Sequence, residues 1–217
     1  MFSFKNVPIL LAACIQSVYP LTCEWYGAAA GTDINCLPGW ATFGVCMSGK
    51  RDSCKSGLSP LAPKYSFALY CCQTKYQNFE QNNCHWYGNL EGEKTNCQGQ
   101  DDNDNSSIQA FYGGCASQGA QKRGNGNDCL VNGQKYRNSE YCCENNDISV
   151  SQDISSCSWN FGNFGDNLKC SNGKVAVGMC GGGGENPCEL GPSSDDDGEP
   201  DVGLMVGVYC CPYSDNK

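Results

Sequence analysis

The stretch VGVYCCP, residues 206–212, sets Cys210 beside Cys211 at the end of an alternating apolar run. The same ending occurs twice earlier, as FALYCC (67–72) with Cys71 and Cys72 and as SEYCC (139–143) with Cys142 and Cys143. Short β-branched and aromatic runs bounded by glycine, KVAVGMC (174–180) and GLMVGVYCC (203–211), predict strands. Successive residues of a strand point to opposite faces, so an adjacent cysteine pair offers one sulfur to each side. The two sulfurs are then expected to bond two different partners, because a bridge between sequence neighbours has poor geometry. The doubled cysteine thus reads as a clamp that ties one strand to structures above and below it.

Working outward, eighteen cysteines fall into three groups of six: Cys23, Cys36, Cys46, Cys54, Cys71, Cys72; Cys84, Cys97, Cys115, Cys129, Cys142, Cys143; and Cys157, Cys170, Cys180, Cys188, Cys210, Cys211. Each group opens on Cys-x-Trp, with Trp25, Trp86 and Trp159 at one position, and each closes on Tyr-Cys-Cys. The first two cysteines lie 13 residues apart in all three, and the first and third groups share the next steps of 10 and 8. Recurrence of spacing, order and flanking aromatics marks an internal repeat. It divides the chain into unit 1 (18–76), unit 2 (77–148) and unit 3 (149–217). Unit 2 carries the polar insertion GQDDNDNSS and unit 3 the insertion SSDDDGEPD, both expected as surface loops.

The nineteenth cysteine, Cys14, sits in MFSFKNVPILLAACIQS, which has one basic residue, a short apolar run and a small residue at Ser17. That layout predicts a secretory signal peptide over residues 1–17. LAAC at Leu11–Cys14 also matches a bacterial lipidation box, with Cys14 the lipid acceptor in that reading. Either reading leads to an oxidising compartment, where disulfides persist. No stretch is long and apolar enough to span a bilayer. A formal charge of −9 argues against nucleic acid as partner.

With sparse Leu, Ile, Val and Phe, bridges must carry much of the stability, at about 2–4 kcal/mol each. The short step between third and fourth cysteines suggests a local bridge, Cys46–Cys54, Cys180–Cys188 and the longer Cys115–Cys129. The first and second cysteines then remain for the closing pair, and the order among them is open, since six cysteines allow fifteen connectivities.

The stretches CLPGWATFGVC with FALYC, and CSNGKVAVGMC with VGVYC, resemble the repeats of vitelline membrane outer layer proteins. The resemblance covers about half of each unit. It implies an all-β fold of three disulfide-rich sheet units in a pseudo-threefold β-prism, and a secreted coat protein. The doubled cysteines and acidic insertions depart from that family. A β-trefoil is the alternative architecture for three repeats of this length.

The sequence offers little for catalysis. His85 is the only histidine, between Cys84 and Trp86, and the other units hold Glu24 and Ser158 in its place. No G-x-S-x-G motif is present, and the acids gather in hydrophilic insertions and not in a pocket that would tune them for acid–base work. The cysteines lack the paired C-x2–4-C knuckles of zinc sites. Asp101, Asp102 and Asp104 are oxygen ligands of the kind calcium prefers, but the loop lacks the glycine and glutamate of an EF-hand, so only weak calcium contact is expected and no cofactor. Asn105-Ser106-Ser107 is an N-glycosylation sequon. Trp25, Trp86 and Trp159 read either as sugar-stacking rings or as rings packed on their own unit's bridges. The chain is expected to be a secreted, non-catalytic structural or binding component of an extracellular coat or matrix, with glycan among its partners. A secreted effector (toxin, antimicrobial protein or inhibitor) is the second class, and a glycoside hydrolase the third.

Overall fold

The computed structural model describes residues 22–48, 54–55, 64–74, 82–97, 108–117, 128–144, 148–182, 187–189 and 204–215. The signal-like segment 1–17 with Cys14, the insertion carrying Asp101, Asp102, Asp104 and Asn105, and the acidic stretch 195–201 lie outside the described residues. The fold is all-β, and among the described residues the one helical element is a short 3-10 turn at Ile154–Ser156.

Every group of six cysteines builds the same three strands. An opening strand (Cys23–Ala28, Asn82–Asn89, Ser158–Gly162) and a middle strand (Trp40–Met47, Ala110–Ala116, Lys174–Gly181) flank the closing strand (Phe67–Gln73, Asn138–Glu144, Val206–Asp215). Both neighbours pair with it antiparallel. The first cysteine bonds the sixth, Cys23–Cys72, Cys84–Cys143 and Cys157–Cys211, with Cα separations of 4.0, 4.1 and 4.2 Å. The second bonds the fifth, Cys36–Cys71, Cys97–Cys142 and Cys170–Cys210, at 5.6, 5.5 and 5.6 Å. The third bonds the fourth, Cys46–Cys54, Cys115–Cys129 and Cys180–Cys188, at 5.7, 5.8 and 5.8 Å. Near-identical spans show one local geometry made three times. The two sulfurs of a closing pair do part company: Cys71 joins the central core with Leu69, whereas Cys72 joins a second cluster with Phe43 and Tyr209.

The bridges stay inside the groups, but the backbone pairing does not. After each opening strand the chain turns at a glycine with positive φ, Gly31 (72°), Gly92 (78°) and Gly165 (90°), a conformation costly for other residues. It then crosses to the next group. Gly31 N–H donates to Ala116 O (3.0 Å), Gly92 N–H to Gly181 O (3.1 Å) and Gly165 N–H to Met47 O (2.8 Å). Five residues on, the second cysteine donates its N–H to a bulged middle strand: Cys36 to Tyr112 O (2.8 Å), Cys97 to Val177 O (2.6 Å), Cys170 to Phe43 O (2.8 Å). Phe43, Tyr112 and Val177 are the extra residues at register shifts, and a bulge frees such a carbonyl from its own ladder. The first group thus grips the second, the second the third, and the third the first. The central core draws on all three, with Val45, Phe67, Leu69, Phe111, Met179 and Val208 packed around the second-to-fifth bridges.

Candidate functional site

Two features concentrate chemistry: a row of aromatic side chains across each sheet, and a carboxyl group sealed between two sheets.

The rows follow from register, because directly opposed residues of an antiparallel pair share a face. In the first sheet the order is Lys169, Gly44, Tyr70, Trp25. In the second it is Asn35, Gly113, Tyr141, Trp86. In the third, Gly178, Tyr209 and Trp159 line up. The glycine in each row is needed for close approach: a Cβ at Gly44 would collide with the Leu168 carbonyl, at Gly113 with the Asn35 amide, and at Gly178 with the Thr95 carbonyl. With that position bare, a side chain from the crossing segment can reach the rings.

What lies on the rings differs. The Trp25 and Tyr70 rings are 5.0 Å apart at 37°, and the Lys169 ammonium stands 3.8 Å from the Tyr70 centroid and 5.8 Å from that of Trp25. Trp159 is stacked between Tyr209 (5.0 Å, 23°) and Phe161 (5.5 Å, 9°), and Lys94 Nζ sits 4.6 Å over Phe161. Trp86 and Tyr141 meet at 5.0 Å and 35°. All three tryptophans are partly buried. The structure brings each to the same register position but leaves them on separate sheets. His85 is exposed, and its ring meets Tyr87 edge-on at 6.5 Å.

The second feature corrects the expectation that the acids gather in polar insertions. Glu140, on the closing strand of the second sheet, is fully buried. Counting back from Tyr-Cys-Cys, it stands where the other sheets place Leu69 and Val208, both core residues. Its Oε1 accepts the Met179 N–H (2.6 Å), the Thr95 hydroxyl (2.9 Å) and the Asn89 side-chain amide (3.2 Å). Loss of hydration raises its pKa from 4.5 to about 7, partly offset by these three donors. Among the described residues, Glu140 Oε2, both polar atoms of Asn138 and Asn89 Oδ1 have no hydrogen-bond partner. Asn138 opposes Asn89 in register and lies two residues before Glu140, so the three side chains share one sheet face. The sulfurs of Cys97 and Cys142 lie within 4.8 Å of the carboxylate and of each other. They are bonded to one another, so no thiolate is offered to a metal. One signal of this site was present in the sequence: a glutamate in SEYCC at the place of leucine in FALYCC and valine in VGVYCC.

Comparison of the chain with family models, with curated proteins and with solved structures gives no match in any of the three.

Proposed function

We propose that the chain is a secreted, non-catalytic structural or binding component of an extracellular coat or matrix. The observation that carries this reading is the scaffold: nine bridges within the groups, cyclic gripping between them, and an aromatic row presented on each sheet. Such a scaffold resists unfolding outside the cell and holds ring faces at set positions, which suits adhesion to a polymer, glycan included. The carboxyl group with a pKa near neutrality, Glu140, supports the same reading: it is walled into the core, where no substrate could reach it for acid–base work.

Because the groups complete each other's sheets, the test uses the whole oxidised chain and not single groups. Retention on insoluble polysaccharides and on matrix proteins is measured with and without chelator. Retention on at least one polymer, little changed by chelator and unaffected by His85→Ala, is expected. Membrane lysis or enzyme inhibition without polymer retention would place the chain among secreted effectors, and turnover of a glycan would make it a hydrolase.

A further inference from the structure

We infer that the Trp86–Tyr141 face of the second sheet is a binding site for a lysine side chain of a partner protein. Trp25–Tyr70 and Trp86–Tyr141 are the same platform, with ring separations of 5.0 Å in both and tilts of 37° and 35°. Each lies one strand beyond a glycine over which the crossing segment passes closely. On the first platform the occupant is the Lys169 ammonium, at 3.8 Å from the Tyr70 centroid. On the third sheet the aromatic stack is met by Lys94, 4.6 Å over Phe161. Both lysines arrive on the segment that crosses from the neighbouring group. The segment that crosses to the second sheet is Asp33-Ile34-Asn35, which has no lysine. Asn35 stands at the register position of Lys169, and its short amide stops over Gly113. Among the described residues, no cation caps this pair of rings.

The chemistry that fits the face is therefore the one the protein itself uses on the other sheets. The ring quadrupoles of Trp and Tyr attract an ammonium placed over them. The Asn35 carbonyl oxygen, over Gly113 and so one strand from Tyr141, is an acceptor for ammonium protons. Asp33, two residues earlier and exposed, adds a negative charge to the same segment. A chain with a formal charge of −9 draws cations towards it over longer range. One such contact is weak alone, so the lysine would belong to a larger partner surface. The inference rests on the binding reading above only in supposing a partner, and the chemistry of the face is tested without one.

The test is an NMR titration of the whole oxidised chain, following the indole N–H signals of Trp25, Trp40, Trp86 and Trp159. The probe is n-butylammonium chloride, the lysine side chain in isolation, with n-butanol as neutral control at constant ionic strength. The Trp86 signal is expected to move with a half-saturation at least fivefold lower than any other tryptophan, and butanol is expected to leave it in place. Lys169→Asn, which places on the first sheet the residue that Asn35 is on the second, should make Trp25 respond as Trp86 does. Asn35→Lys, which supplies the missing internal cation, should suppress the Trp86 response. Equal movement with butanol, movement with a neutral sugar but not with butylammonium, or a silent Trp25 in Lys169→Asn would each overturn the inference. Polymer retention is measured separately, so its failure would remove the matrix reading and leave this result standing.

Discussion

At the seam between the first and second groups, Ile34 and Asn35 lie in ladder register with Gly114 and Gly113; at the seam between the third and first, Leu168 and Lys169 do the same with Val45 and Gly44. The seam between the second and third groups keeps the two outer hydrogen bonds, from Gly92 and Cys97, but Thr95 and Asn96 form no strand between them. There Met179 N–H, at the place of Val45 and Gly114 in the other middle strands, donates to the Glu140 carboxylate, and the Thr95 hydroxyl does likewise. Two seams are closed by a backbone ladder, and the third by its two outer backbone bonds with a side chain between them. A backbone ladder satisfies donor and acceptor together without charge. A carboxylate can also accept an orphaned N–H, but it must be stripped of water to do so, and its pKa near 7 records that cost.

The largest effect is expected at Glu140. Glu140→Ala leaves the donors of Met179, Thr95 and Asn89 without an acceptor in the core and opens a cavity, so a loss of about 4 kcal/mol is expected. Denaturant unfolding with bridges intact measures it against Leu69→Ala, the same place on the first sheet. A loss at Glu140 under about 1 kcal/mol would mean that the seam does not depend on the carboxylate.

The next largest effect is on pH dependence. The folded pKa of Glu140 is raised from 4.5 to about 7, so the folded chain holds this proton more tightly than the unfolded one. The associated stability is present in full below about pH 4.5 and is lost as pH rises through about 7, a change of about 3 kcal/mol. Glu140→Gln keeps an acceptor and removes the titration. The stability difference between wild type and Glu140→Gln should therefore swing in favour of Gln between pH 5 and 8, and a difference that stays flat would dismiss the assignment.

A smaller effect sharpens the contrast between seams. A Cβ at Gly44 or Gly178 meets a backbone carbonyl of the crossing segment, Leu168 or Thr95 respectively. Gly44→Ala is expected to cost about 2 kcal/mol. Gly178→Ala should cost less, because no ladder pins Thr95 and the segment is freer to yield. Thermal unfolding resolves the two, at about 2–4 °C per kcal/mol for a chain of this size. Equal shifts would show that the ladder adds no rigidity. Smallest is Lys169→Ala, which removes an exposed cation from Tyr70 at about 0.5 kcal/mol. A loss above that of Gly44→Ala would give the lysine a larger part in its seam than the ring contact explains.

Much of the local structure was legible in the residues. Adjacent cysteines on a strand must part to opposite faces, and the 8-residue step of Cys46–Cys54 and Cys180–Cys188 suits a local bridge. The tryptophan at the second place after each opening cysteine marked one repeated strand, and it aligns opposite the tyrosine of the closing strand in all three sheets. These are short-range facts: period, spacing and covalent reach decide them.

Tertiary structure alone decided the order of the long bridges, first to sixth and second to fifth, since both closing cysteines lie at almost the same sequence distance. It alone decided the cyclic gripping, because a two-residue strand such as Ile34–Asn35 has no period to read and its partner lies in another group. The fate of Glu140 was decided the same way. Its place in SEYCC points inward, but whether an inward acid is tolerable depends on donors brought by Thr95 and Met179, and only the closed ring of sheets sets Met179 of the third group against it. A buried charge is a property of the assembled surroundings, while a strand's alternation is a property of the chain.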